Sequence, residues 1–151
     1  RSYEESIISK KTQTRITSRL ARNIHDLYSN QQEFRFAIRT IYDDKCCIIG
    51  NSISTGETIN CEAAHIKPFS TGGNHAAKNG LLLSRDLHWA FDKGCFTIDQ
   101  SYEIKVHKKM KSSSLGKYDG KKIKLPNKDF WPSIKNITYH NQEIFLKFKE
   151  A

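Results

Sequence analysis

No apolar run in the chain approaches the roughly 20 residues needed to span a bilayer, and no basic-then-apolar leader opens it. A membrane partner is therefore not expected. None of the four cysteines, Cys46, Cys47, Cys61 and Cys95, forms a Cys-x-x-Cys pair, so a structural zinc ribbon has no ligand spacing to rest on. Adjacent Cys46 and Cys47 are poorly placed to bridge each other. Without a secretory leader, all four read as reduced, mostly buried thiols of a cytoplasmic protein. Acidic residues are scarce: 16 Asp and Glu stand against 25 Lys and Arg, a formal net charge of +9. A surplus of that size predicts an anionic partner, with nucleic acid ahead of membrane.

The 151 residues suffice for one domain with a real core. With 37% hydrophobic residues and a mean hydropathy of −0.65, the chain is polar but not of disordered composition. It begins at Arg1 and its single Met is Met110, as in a piece of a longer polypeptide or a processed start.

Residues 3–29 predict a helix, because Ile7, Ile8, Ile16, Leu20, Ile24 and Leu27 recur at helical spacing. Arg15, Arg19 and Arg22 share one face of it, suited either to a phosphate backbone or to solvent. Gln32 to Tyr42 predicts a second helix, with Phe34, Ile38, Ile41 and Tyr42 inward and Arg35 and Arg39 outward. A strand over Cys46 to Ile49 and another over Thr58 to Ile66 predict a β-hairpin with a long tip. Ser84 and Gly94 cap a helix that puts His88 and Asp92 on one face and Leu87, Phe91 and Trp89 into packing. A small hairpin follows, Cys95 to Ile98 with Tyr102 to Val106. A lysine-rich stretch from Lys105 to Lys128, read as partly mobile, leads to a closing helix over Ser133 to Phe148 with Ile134, Ile137, Ile144, Phe145 and Phe148 buried.

The chemistry concentrates between Glu62 and Gly94. Phosphodiester hydrolysis needs a base to deprotonate water, a cation to neutralise developing charge, and a means of holding the phosphate in line. His65 at the end of a strand suits the base, since imidazole titrates near neutrality. An amide such as Asn79 can orient it. His88 and Asp92, one helical turn apart, form a two-point grip on a divalent ion and leave positions for water and phosphate oxygens. His25, His75, His107 and His140 are assigned no catalytic part, and His140 is expected to hydrogen-bond within the closing helix.

This stretch resembles the HNH nuclease motif. His65 matches its first His, Asn79 its Asn and His88 its last His. Cys-x-Ile-x-Gly ahead of it, Ala-Ala-His-Ile-Lys-Pro around His65, Asn-Gly-Leu-x-Leu and His-x-x-Phe-Asp-x-Gly resemble the branch found in predicted restriction endonucleases. So do Gln32, Phe34 and Arg35, Gly-Lys-Lys-Ile-x-Leu-Pro at 120–126, and Pro132 with His140 and Phe145. The resemblance implies an α+β fold with a ββα-metal core, spanning residues 31–151 after a helical arm or linker over 1–30. It implies a metal-dependent DNA endonuclease, the cleavage module of a restriction or defence enzyme, leaving a 5′-phosphate and a 3′-hydroxyl. His65 would activate water, Asn79 would orient it, and His88 with Asp92 would hold one divalent ion, Mg²⁺ or Mn²⁺ ahead of Zn²⁺ or Ni²⁺. Duplex DNA is the implied partner, with a homodimer as the simplest route to a double-strand break. Many HNH enzymes carry Asp or His just before the base, where this chain has Ala64. Glu62 shares that strand parity and is the candidate replacement. The competing reading is a nucleic-acid-binding module on the same fold without hydrolysis.

Overall fold

The computed structural model describes residues 30–149; the predicted helix over residues 3–29, with Arg15, Arg19 and Arg22, lies outside the described residues. Helix α1 runs Gln31–Ile41, within a residue of its predicted span. The Asn30 side chain caps it, accepting from the Glu33 amide at 2.8 Å. Its Phe34, Ala37 and Ile38 are buried, and they face the central hairpin.

That hairpin is not the predicted one. Strand β1 (Cys61–His65) pairs antiparallel with β2 (Gly80–Ser84), in the register Cys61 to Ser84 and His65 to Gly80. Cys46–Ile49 is a turn instead of a strand, with Cys46, Cys47 and Ile48 buried and Ile49 exposed, tied in by single bonds such as Cys47 N–H to Leu82 O at 2.9 Å. Residues 58–60 precede β1 and carry only the isolated Ser54–Ile59 bridge. The true partner strand was hidden because Leu81, Leu82 and Leu83 are all fully buried. A strand covered on both faces shows no alternation.

Helix α2 (Arg85–Lys93) follows β2 directly, starts after Ser84, and ends at Gly94 with φ +83°. Ser84 occupies the capping position without a side-chain cap bond. Leu87, Ala90 and Phe91 pack inward, whereas Trp89 is 62% exposed and adds nothing to the core. Strands β3 (Phe96–Ile98) and β4 (Ile104–Val106) form the second hairpin where expected. The lysine-rich stretch is built from short 3-10 turns. Leu115 and Ile123 anchor it in the core, and Asp119 Oδ1 accepts the Val106 amide at 2.9 Å.

The closing helix is shorter than predicted. Helix α3 (Ile134–His140) widens into a π turn over Asn141–Phe145, and Ile134 is exposed rather than buried. His140 is the polar centre of this region. Its Nε2–H donates to Phe91 O at 2.9 Å, so Nδ1 accepts from the Thr97 hydroxyl at 2.7 Å, which in turn accepts from Asn141 Nδ2 at 2.9 Å. Burial pushes its pKa down to about 4. A folded pKa below the ordinary ~6.5 means that the unfolded chain binds the proton first. Stability from this group is therefore complete above about pH 6.5 and declines as pH falls toward 4. His140→Ala, which removes the ring and leaves the buried Thr97 hydroxyl without its acceptor, should destabilise the fold by about 2–4 kcal/mol in urea titrations at pH 7. The loss should shrink at pH 5.

Candidate active site

His65 sits at the end of β1, with its ring laid flat on Phe34 of α1 at 4.2 Å and 9° between planes. Its Nε2 lies 3.0 Å from His75 Nδ1. Burial first, then the neighbouring His75, pushes its pKa down to about 4. The ring is thus neutral at physiological pH and keeps a lone pair for a proton.

Asn79 does not touch that ring. It is fully buried. Its Oδ1 accepts the Lys67 amide at 2.9 Å, and its Nδ2 donates to Lys67 O and to Asn74 O, each at 3.0 Å. The predicted orientation of His65 by this amide is therefore indirect, through the loop from Ile66 to Ala76. His75, set aside in the sequence, is the side chain that meets His65. It stands in a Gly-Gly-Asn-His loop with no periodic pattern, so only its place between His65 and Asn79 could have drawn attention.

His88 and Asp92 occupy one face of α2 as expected, with His88 Nε2 3.2 Å from Asp92 Oδ2. On the other side His88 Nδ1 lies 2.9 Å from Glu62 Oε1, and Arg85 Nε approaches Glu62 Oε2 at 3.8 Å. The hydrogen bond to Asp92, followed by that to Glu62, raises the His88 pKa against the opposing effect of burial. His65, His88 and Asp92 line one open pocket of about 410 Å³ together with Gln31, Ala63, Pro68 and Phe69. The imidazole of His65 and the His88–Asp92 pair thus face a common space.

Among the described residues, no three His, Cys, Asp or Glu side chains are grouped as a ready-made metal cage. The fit of a divalent ion rests on the pair. Two donors on adjacent corners of an octahedron with bonds of ~2.1 Å lie about 3 Å apart, and Nε2 of His88 and Oδ2 of Asp92 are already 3.2 Å apart. Ala64, at the position where a further ligand was sought, is fully buried and pairs with Leu81. Glu62 reaches the far nitrogen of His88 rather than the space between the donors. A carboxylate in that place would hold the proton on Nδ1 and leave Nε2 for a cation.

Residues 46–99 match a family model described as HNH endonuclease. Over that stretch, about a third of its length, the chain is similar to the HNH endonuclease family. Its fold is α+β with a ββα-metal core, in which β1, β2 and α2 supply the hairpin and the helix. The chain is also similar to a solved structure described as a modification-dependent TagI restriction endonuclease. That likeness has a TM-score of 0.58 and 19% identity, over 76% of this chain and 38% of that one. The chain thus spans well under half of that enzyme, and the likeness concerns the fold. No curated protein matches the chain.

Because a cation must displace the proton from His88 Nε2, metal affinity should fall about tenfold per pH unit below the raised His88 pKa. Glu62→Gln should weaken Mn²⁺ binding about 10- to 100-fold by titration calorimetry with the melting temperature unchanged. His88→Ala should abolish it.

Proposed function

We propose that the HNH domain hydrolyses phosphodiester bonds of duplex DNA with one divalent metal ion, as the cleavage module of a restriction or defence enzyme. The observation that carries this reading is the shared pocket: a neutral imidazole on one wall and a His–carboxylate pair on the other, open to solvent. His65 accepts a proton from water through its free ring nitrogen. The water oxygen attacks phosphorus, the P–O3′ bond breaks, and the strand ends in a 5′-phosphate and a 3′-hydroxyl. His88 and Asp92 hold the divalent ion, which when bound neutralises charge developing on the phosphate and its leaving oxygen. Mg²⁺ or Mn²⁺ suits two protein ligands better than Zn²⁺, whose catalytic sites take three, because Mg²⁺ keeps several of its waters.

Substrate approach is supported by charge. A groove of about 500 Å³ lined by Gln31, Gln32, Arg35, Arg39 and Arg85 runs to Glu62 and His88. Arg39 is engaged by Asp44 at 2.7 Å and Arg85 more loosely by Glu62 at 3.8 Å, and the groove's three arginines make it a basic approach for phosphate. One such centre cuts one strand per event, so a double-strand break is most simply made by two copies. The neighbour is described as a modification-dependent restriction endonuclease, which supports DNA as the substrate class.

A plasmid-nicking assay with Mg²⁺ or Mn²⁺ tests the reading. The wild-type chain should relax supercoiled DNA and stop on addition of EDTA. His65→Ala should lose at least 10²-fold in rate while retaining salt-sensitive DNA binding. An intact plasmid across a panel of divalent metals, with DNA binding preserved, would favour the non-hydrolytic module instead.

A further inference from the structure

We propose that His75 is a positioning residue for His65, fixing which ring nitrogen of the base carries a proton. The proposal rests on the general-base reading of His65 and adds a partner to it. Two imidazoles joined through one hydrogen bond, Nε2 of His65 to Nδ1 of His75 at 3.0 Å, need one donor and one acceptor. If His65 carries its proton on Nε2, it donates to His75 and its Nδ1 is left bare. If instead His75 Nδ1–H donates, neutral His65 carries its proton on Nδ1 and has no lone pair left for water. Only the first arrangement makes a base. It also survives turnover, because a doubly protonated His65 still donates from Nε2 to the same acceptor.

The pair is held from outside. Phe34 stacks beneath His65, and Phe69 stacks on His75 at 4.6 Å and 5°. These rings fix both planes and leave the in-plane nitrogens to meet. The loop backbone holds His75 in place through Asn79, whose amide grips the carbonyl of Asn74, the residue just before it. Asn79 therefore acts on the base through His75. The charged or titratable groups that face His65 are His75 itself and, across the pocket, Asp92 and His88. Neither of the other two is hydrogen-bonded to Nε2.

Two substitutions separate hydrogen bonding from packing. His75→Phe keeps an aromatic ring against Phe69 and removes the acceptor; His75→Gln restores a polar acceptor without the ring. The first readout is the tautomer of His65 by ¹⁵N–¹H NMR on the metal-free chain, which needs no activity. Wild type should show the proton on Nε2, and His75→Phe should show a mixture. The second is nicking kinetics: His75→Phe should lower kcat about 10- to 100-fold with KM for DNA unchanged, and His75→Gln should recover part of it. A wild-type His65 protonated on Nδ1, or a His75→Phe enzyme within twofold of wild-type kcat, would overturn the proposal. Should His65→Ala itself cut normally, the general-base reading fails, whereas the tautomer measurement still decides the hydrogen bond.

Discussion

Asn79 points both ends of its amide into a single loop. The carboxamide oxygen takes the Lys67 amide, and the nitrogen serves the carbonyls of Lys67 and Asn74, all without contact with solvent. The loop it closes is the long connection from Ile66 between two paired strands. A connection of that length gains nothing from a tight turn and must be shaped by specific bonds. Leaving any of these buried groups unpaired would cost about 1–3 kcal/mol, so alternative loop shapes are disfavoured together. The same closeness appears at Gly73, where a Cβ would lie only 1.9 Å from Lys67 O. His65 lies at the start of this loop and His75 within it, so the clamp decides whether the two rings meet.

The site then separates two histidines by environment. His65 is pressed between an aromatic face and a second imidazole, and burial drives it toward the neutral form. His88 lies between two carboxylates, which favour the charged form and raise its pKa. One residue type thus takes two protonation preferences, neutral on one wall and charged on the other, as the proposed base and ligand roles require. Neither shift needs a remote device; each follows from what lies within one side chain's reach.

Patterns confined to one element were legible in the sequence. The helical spacing of Phe34, Ile38 and Ile41, the His88–Asp92 pair one turn apart, the Gly94 stop and the β3–β4 hairpin stand where periodicity and turn chemistry put them. What escaped depends on contacts between distant segments. The buried Leu81–Leu83 run carries no alternation, so β2 was missed and Cys46–Ile49 took its place as the strand partner. The amide of Asn79 bonds the backbone of Lys67 and Asn74 instead of the expected His65 ring, because a sequence shows that an amide is present but not which carbonyls it faces. His75 was set aside for the same reason: its role exists only through His65.

The Asn-Gly pair at 79–80 illustrates why such a dipeptide can mislead. Read locally it is a turn signal, yet Gly80 is extended, with φ −128°, and needs no positive φ. Its missing side chain matters for space. A Cβ there would come within 2.4 Å of Ile38 Cδ1 and 3.0 Å of Phe34 Cζ. Gly80 is also the ladder partner of His65. The bare backbone at this pair lets α1 press against the hairpin, and Phe34 thereby reaches the face of the base. The register that brings Gly80 opposite His65 is in turn set by core packing, with Ala64 paired to Leu81 and Ala63 to Leu82. A slip of one residue would turn those leucines outward and carry His65 away from both Phe34 and the wall that bears His88 and Asp92. The leucine core and the reactive geometry are therefore one constraint: burying three leucines fixes the position of the imidazole.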